Sequence, residues 1–198
     1  MNPAKKAAKK TARPAARKVA KAPASAPYEE GKWAHVFTRK SGERRYWLVK
    51  SEPEVFSFDD LQKAPKKTTG WDNIRNSTAR NFLRDGMKVG DLAFFYHSNC
   101  DEPGVAGIVK IVKEGYPDST AFDKNDPHFD ADSDPDKPRW YMVDVKFERK
   151  FRRTITLATL RQHEQRALKG LALLKRGNRL SITPVSAAHW KFILDLAE

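Results

Sequence analysis

Apolar side chains along this chain fall into short dense runs separated by polar turns, and the first long run sets the pattern. Tyr46-Trp47-Leu48-Val49 is rich in aromatic and branched residues and predicts a buried strand. Lys50, Ser51 and Glu52 follow at once, and Pro53 stops the ladder. A strand ending in a cation, a hydroxyl and a carboxylate holds those groups at a fixed place, as a scaffold does when it offers a polar cluster to a ligand. The competing reading is a core strand that runs out into a solvated turn.

The pattern continues. In "VFSFDDLQKAP", Ser57 is an N-cap, Asp59 and Asp60 suit the first turn, and Pro65 closes a short helix. "TTGWDNI" reads as a loop carrying Trp71. "RNSTARNFLRDG" predicts a second helix, capped by Asn76 or Ser77 and ended at Gly86, with Ala79, Phe82 and Leu83 as its buried stripe. Residues 91–98 and 104–117 predict two strands, the first running out into Tyr96, His97 and Ser98. After an Asp- and Pro-rich loop over 118–139, alternation from Trp140 predicts another strand. "TLATLRQH" and "QRALKGLALLK" are expected as helical pieces, "NRLSITPV" as a strand, and Ser186 as the cap of a last helix. Strands outnumber helices and connections are irregular. The expected class is α+β: a small mixed, largely antiparallel barrel with short helices around it.

Charge changes this picture at one end. Residues 1–27 hold eight Lys and Arg and no acid, so +8 of the net +13 sits on a Lys/Ala/Pro-rich segment with almost no large apolar residue. Such a segment buries too little surface to offset its ordering entropy, and disorder is expected. Basic low-complexity arms bind polyanions by counterion release, without sequence preference. Residues 1–44 are therefore read as arm and linker, with Trp33, Val36 and Phe37 either docking on the domain or idle, and 45–197 as the folded domain. No apolar h-region follows the early charges, which argues against a secretory signal and leaves a transit peptide open. No apolar run is long enough to span a bilayer, and the single cysteine, Cys100, fits a reducing compartment. A soluble, monomeric, intracellular protein is expected: cytoplasmic, nucleoid-associated if bacterial, nuclear if eukaryotic.

The strings "YWLVKSEP", "WDNIRNSTARNFLR", "GDLAFFYHS", "GVAGIVKIVKEGYPD", "DPDKPRWYMVDV" and "LLKRGNRLSITPV" resemble the EVE domain family, in unbroken order over about residues 45–197. The resemblance implies a PUA-like pseudo-barrel, related to the PUA, YTH and ASCH domains, with a pocket for a single modified base in DNA or RNA. One departure bears on ligand choice. Where the family often has Asn-Tyr-Gln, this chain has Asn76-Ser77-Thr78, so Ser77 implies a roomier pocket.

A base taken out of its stack needs flat apolar walls and a few fixed groups for its edge. Unstacking costs a few kcal/mol and aromatic stacking returns roughly 1–3 kcal/mol per base, so edge bonds and backbone charges must supply the surplus. Trp71 and Trp140 are the expected walls. Lys50, Ser51, Glu52, Asn76, Ser77, His97, Ser98, Arg179 and Ser181 are the expected pocket groups, with Arg179 and Ser181 two apart on one strand face. Arg75, Arg80, Lys175 and Arg176 are expected on phosphates. Structural roles compete for each: a packed tryptophan, a hydrogen-bonded histidine, a Lys50–Glu52 salt bridge.

Enzyme signatures fail one by one. Asp130, Asp132 and Asp134 have calcium-loop spacing, but Pro135 and Tyr141 stand where an EF-hand needs Gly and Glu. His97 and Cys100 are too few for zinc, and His163-Glu164 lacks a second histidine. There is neither a phosphate-cradling glycine loop nor a nucleophile elbow. No metal and no cofactor are expected. Three readings remain: a non-catalytic reader of modified bases, a nucleic-acid hydrolase using Glu52 or His97, and a charge-driven nucleoid binder.

Overall fold

The computed structural model describes residues 32–198; the basic arm expected over 1–27 lies outside the described residues. Six strands form one sheet: β1 (Tyr46–Ser51), β2 (Thr68–Trp71), β3 (Leu92–His97), β4 (Gly104–Pro117), β5 (Tyr141–Thr156) and β6 (Ile182–Val185). Their order is β2-β5-β4-β3-β1-β6; β1 and β3 run parallel and every other pair is antiparallel. Four short α-helices surround it: α1 (Phe58–Lys63), α2 (Ser77–Asn81), α3 (Leu157–Gln162) and α4 (Ala187–Asp195). The α+β class read from the pattern is the observed one.

Both faces of the central strands are buried, which is why β1 and β3 read as continuous apolar runs. Period two sends Trp47, Val49, Ala93 and Phe95 to one cluster with α1 and α2, and Leu48, Phe94 and Tyr96 to a second with α3 and α4. The sheet curls around the first cluster. Two strands separate β2 from β3, yet Trp71 meets Phe95 edge-on with ring centroids 5.3 Å apart. That closure without a β2–β6 ladder is the pseudo-barrel.

Local chemistry explains the helix ends. Ser57 and Asp60 make a reciprocal capping box on α1. The Asn76 side chain accepts from the amides of Thr78 and Ala79 at the start of α2. α2 then passes into a π-helical turn over Phe82–Gly86, and Ala79, Phe82 and Leu83 are fully buried as their spacing predicts. Ser186 caps α4 through the His189 amide.

Three expectations need correction. Trp71 does not sit on a loop; it ends β2 opposite Val143. The 165–175 piece is not an α-helix but turns and a 3-10 helix over Ala172–Leu174, because Gly170 has a left-handed φ of 86° and breaks the run. Arg179 and Ser181 precede β6, which starts at Ile182, so no strand face fixes them together.

The stretch before β1 is anchored. Trp33 and Phe37 pack on Phe82, and Val36 is buried. Arg39 grips the buried carboxylate of Asp91 with both terminal nitrogens at 2.7 Å, and the Trp47 indole and the amides of Arg45 and Lys88 also donate to it. Burial alone pushes the Asp91 carboxyl up, but those bonds hold it below the usual range.

Candidate functional site

The parallel pairing of β1 with β3 puts Lys50 beside Tyr96 and Ser51 beside His97, so the two polar strand ends expected from the sequence do meet. The chain crosses between them: the Ser98 amide donates to the Ser51 carbonyl at 2.9 Å, and the Lys50 amide to the Ser181 carbonyl at 2.9 Å. Lys50, Ser51, Glu52, His97, Ser98 and Ser181 thus lie on three neighbouring segments at one end of the sheet.

Within this group the side chains differ in freedom. Ser51 Oγ donates to the Phe56 carbonyl at 2.7 Å and fixes the turn after β1. Glu52 Oε2 accepts from Asn99 Nδ2 at 3.0 Å, and no Lys50–Glu52 bridge forms among the described residues. His97 Nε2 accepts from the Phe58 amide at 3.1 Å, so the ring completes the start of α1 as a neutral acceptor. Burial holds the His97 pKa below its ordinary value, with Asp59 opposing and Lys150 reinforcing. Gly107 makes this possible. A Cβ there would fall 2.4 Å from the Phe58 ring, so only glycine lets Phe58 lie against β4. Lys50 stands apart. Its ammonium is half-buried, burial lowers its pKa, and no carboxylate among the described residues reaches it.

The remaining predicted residues gather elsewhere, around Asp118. That carboxylate is fully buried and accepts from Arg75 Nη1 at 2.7 Å, the Asn73 amide at 3.0 Å, and the amide and hydroxyl of Thr120 at 3.0 and 2.7 Å. Burial raises its pKa, and these donors more than reverse that. Arg75 also donates to Thr120 Oγ1 and twice to the His128 carbonyl, which leaves little of it for a phosphate. Trp140 is 8 % exposed, its indole donates to Asp130, and Arg75, Arg80 and Arg139 lie 5.3–5.9 Å from its ring centroid. It pairs with Asp118 beyond the Pro117 end of β4, whereas His97 pairs with Gly104 at the other end. Trp71 links the regions by packing on Phe95, whose ring also meets His97 edge-on at 5.5 Å. Ser77 is exposed at the start of α2.

Two residues missed in the sequence stand beside Trp71. Asp72 is half-buried, and burial, then the nearby Asp118, raises its pKa. Asn73 has a left-handed φ of 61°, and its buried Oδ1 has no partner. A buried orphan acceptor costs about 1–3 kcal/mol and points to a ligand or water position. The signal was present as a Trp-Asp-Asn string, but treating it as a loop hid it. A cavity of 620 Å³ lies instead at the amino end of β1, between Trp33, Tyr46, Leu171 and His189, and of the predicted site residues only Lys175 lines it. Lys175, Arg176 and Arg179 are all exposed.

Comparison with known proteins agrees with this architecture. The EVE domain model matches residues 45–196. Thymocyte nuclear protein 1 of Homo sapiens is 51 % identical over 168 residues, covering 77 % of this chain and 74 % of that protein. The crystal structure of human THYN1 protein in complex with 5-methylcytosine containing DNA superposes with a TM-score of 0.75 at 51 % identity, covering 78 % of this chain and 98 % of that one. A Pseudomonas putida crystal structure superposes at 0.73 with 44 % identity, covering 77 % and 99 %. The match is continuous from β1 to α4, and the chain belongs to the EVE domain family.

Proposed function

We propose that this protein binds DNA carrying a modified base, 5-methylcytosine or a close relative, and does so without turning it over. The observation that carries the reading is the half-identical human chain solved with 5-methylcytosine DNA, matched across nearly all of its length. The site chemistry supports it. Lys50 is a half-buried cation with no carboxylate partner, and the Asn73 oxygen is a buried acceptor with none. Both gain from a polar ligand edge. Trp71, with 7 % exposure and its ring against Phe95, serves as floor rather than as a free wall. In a eukaryotic cell the protein works in the nucleus, as the name of its human relative suggests. Among the described residues no helix is long and apolar enough to cross a membrane.

The test is a titration of the full chain against two duplexes that differ in one 5-methylcytosine. The modified duplex is expected to bind more tightly, and equal affinities would remove the reading. Incubation of either duplex in excess over the protein is expected to leave it intact; cleavage lost in Glu52→Gln would replace binding by hydrolysis.

A further inference from the structure

Base reading needs a backbone track, and the arginines first expected to supply it, Arg75 and Arg80, are held inside the Asp118–Trp140 region. A different surface is available. β2 pairs with β5 only as far as Lys146, so from Phe147 to Thr156 the outer edge of β5 has no strand partner among the described residues. Along residues 146–153 the exposed charged groups are Lys146, Arg149, Lys150, Arg152 and Arg153 against Glu148 alone. Lys150 is paired with Asp59 at the start of α1. Arg149, Arg152 and Arg153 have no carboxylate partner among the described residues, and Arg149 lies over the Phe151 ring at 5.4 Å. Arg149 and Arg152 also line a shallow groove of 270 Å³, with Glu198 as its one acidic residue and no ion pair formed to it among the described residues.

The turn that leads into β2 adds two cations on the opposite face of β5, where Phe147 packs on the first cluster while Phe151 belongs to the second. Lys66 and Lys67 both hold left-handed backbones at φ 54°, and both are exposed. Lys67 Nζ sits 5.5 Å from the Phe147 ring centroid. Phe147 in turn stacks on Phe58 at 5.0 Å, and the Phe58 amide is bonded to His97. The Lys66–Lys67 turn therefore lies two stacked rings, Phe147 and Phe58, from the end of β3.

We propose that the free edge of β5, with Arg149, Arg152 and Arg153, and the Lys66–Lys67 turn form the phosphate track that lays a nucleic-acid strand past the base site. This rests on the base-reading function above and adds the surface that carries the backbone. Unpaired cations on a strand edge keep their charge for a polyanion, whereas those already bridged to carboxylates do not. The rival role is protection of an open edge against strand pairing, for which charged side chains also serve.

The experiment uses the full chain and the 5-methylcytosine and unmodified duplexes, with affinity measured across a salt series. In Arg149→Gln/Arg152→Gln/Arg153→Gln the log–log salt slope is expected to flatten by about 0.9 per cation removed, so by roughly two to three units. Lys66→Gln/Lys67→Gln should flatten it by a further one to two units on the same basis, as rough values. The modified-to-unmodified affinity ratio should not move. An unchanged slope in a variant with wild-type melting temperature overturns the track, and self-association of that variant then assigns the cations to edge protection. An equal flattening in Lys175→Gln/Arg176→Gln/Arg179→Gln also overturns it, since total charge would explain both. If the triple variant does not fold, the three single substitutions carry the test at about 0.9 each. A wild-type ratio of one would remove the base-reading function while leaving the slope to decide the track.

Discussion

The two polar regions of this molecule use their cations in opposite ways. Around Asp118, Arg75 is fixed by Asp118, Thr120 and the His128 carbonyl, and it helps flank the Trp140 ring. At the ends of β1 and β3, Lys50 is half-buried with no carboxylate partner. The first arrangement builds a rigid wall: every strong donor already has an acceptor, so a ligand would have to compete with the fold. The second holds a desolvated charge that gains from a partner. A residue's type therefore says little about ligand duty until its existing partners are known.

Breaking the first region should cost the most stability. Asp118→Ala strips a buried carboxylate from Arg75, Thr120 and the Asn73 amide, and is expected to lose about 3–5 kcal/mol by chemical denaturation. A variant that unfolds at the wild-type midpoint would show that the region is not the structural half of the comparison.

Trp71 joins the regions and comes next. Because it is buried against Phe95, Trp71→Ala is expected to cost about 3 kcal/mol of stability as well as affinity. It is therefore a poor isolated probe of the pocket. Trp71→Phe, which keeps a ring against Phe95, should recover most of the stability, and its remaining affinity loss measures what the indole contributes to the ligand.

Lys50→Met sharpens the comparison by removing charge while keeping the stem. Affinity for DNA should fall by about 1.5–3 kcal/mol, the range for a hydrogen bond to a charged group, with stability unchanged or raised. The linkage has a definite sign. Burial holds the folded pKa of Lys50 below 10.5, so the charged form costs stability at lower pH, and that cost is relieved as pH rises from the folded pKa towards 10.5. Lys50→Met should abolish this alkaline gain, measured by denaturation between pH 8 and about pH 10.5.

The smallest expected effect concerns His97. Its folded pKa lies below 6.5, and protonation removes the acceptor for the Phe58 amide. The unfolded state binds the proton first, so stability should fall as pH drops below about 6.5 and level off beneath the folded pKa. The loss should be about 1 kcal/mol, one neutral hydrogen bond. His97→Gln should flatten the curve; an unaltered curve would place the titration elsewhere.

The sequence alone determined the elements whose signals are local. Apolar runs marked β1, β3 and β4, alternation marked β5, the capping residues Ser57, Asn76 and Ser186 marked helix starts, and the Ala79–Phe82–Leu83 spacing marked a buried stripe. The blocks from "YWLVKSEP" onward also carried the EVE resemblance. Locality is the reason: period, cap and turn are set within a few residues. Tertiary structure decided what each polar side chain does, because its partners come from far along the chain. Arg75 looked free until Asp118, 43 residues away, closed on it. Trp71 looked like a loop residue until the curled sheet brought Phe95 against it. Trp140 and His97, expected as wall and edge group of one pocket, lie at opposite ends of β4 because fourteen residues of extended strand hold them apart. The free edge of β5 had no sequence signal at all, since an edge exists only once β2 has stopped short beside it.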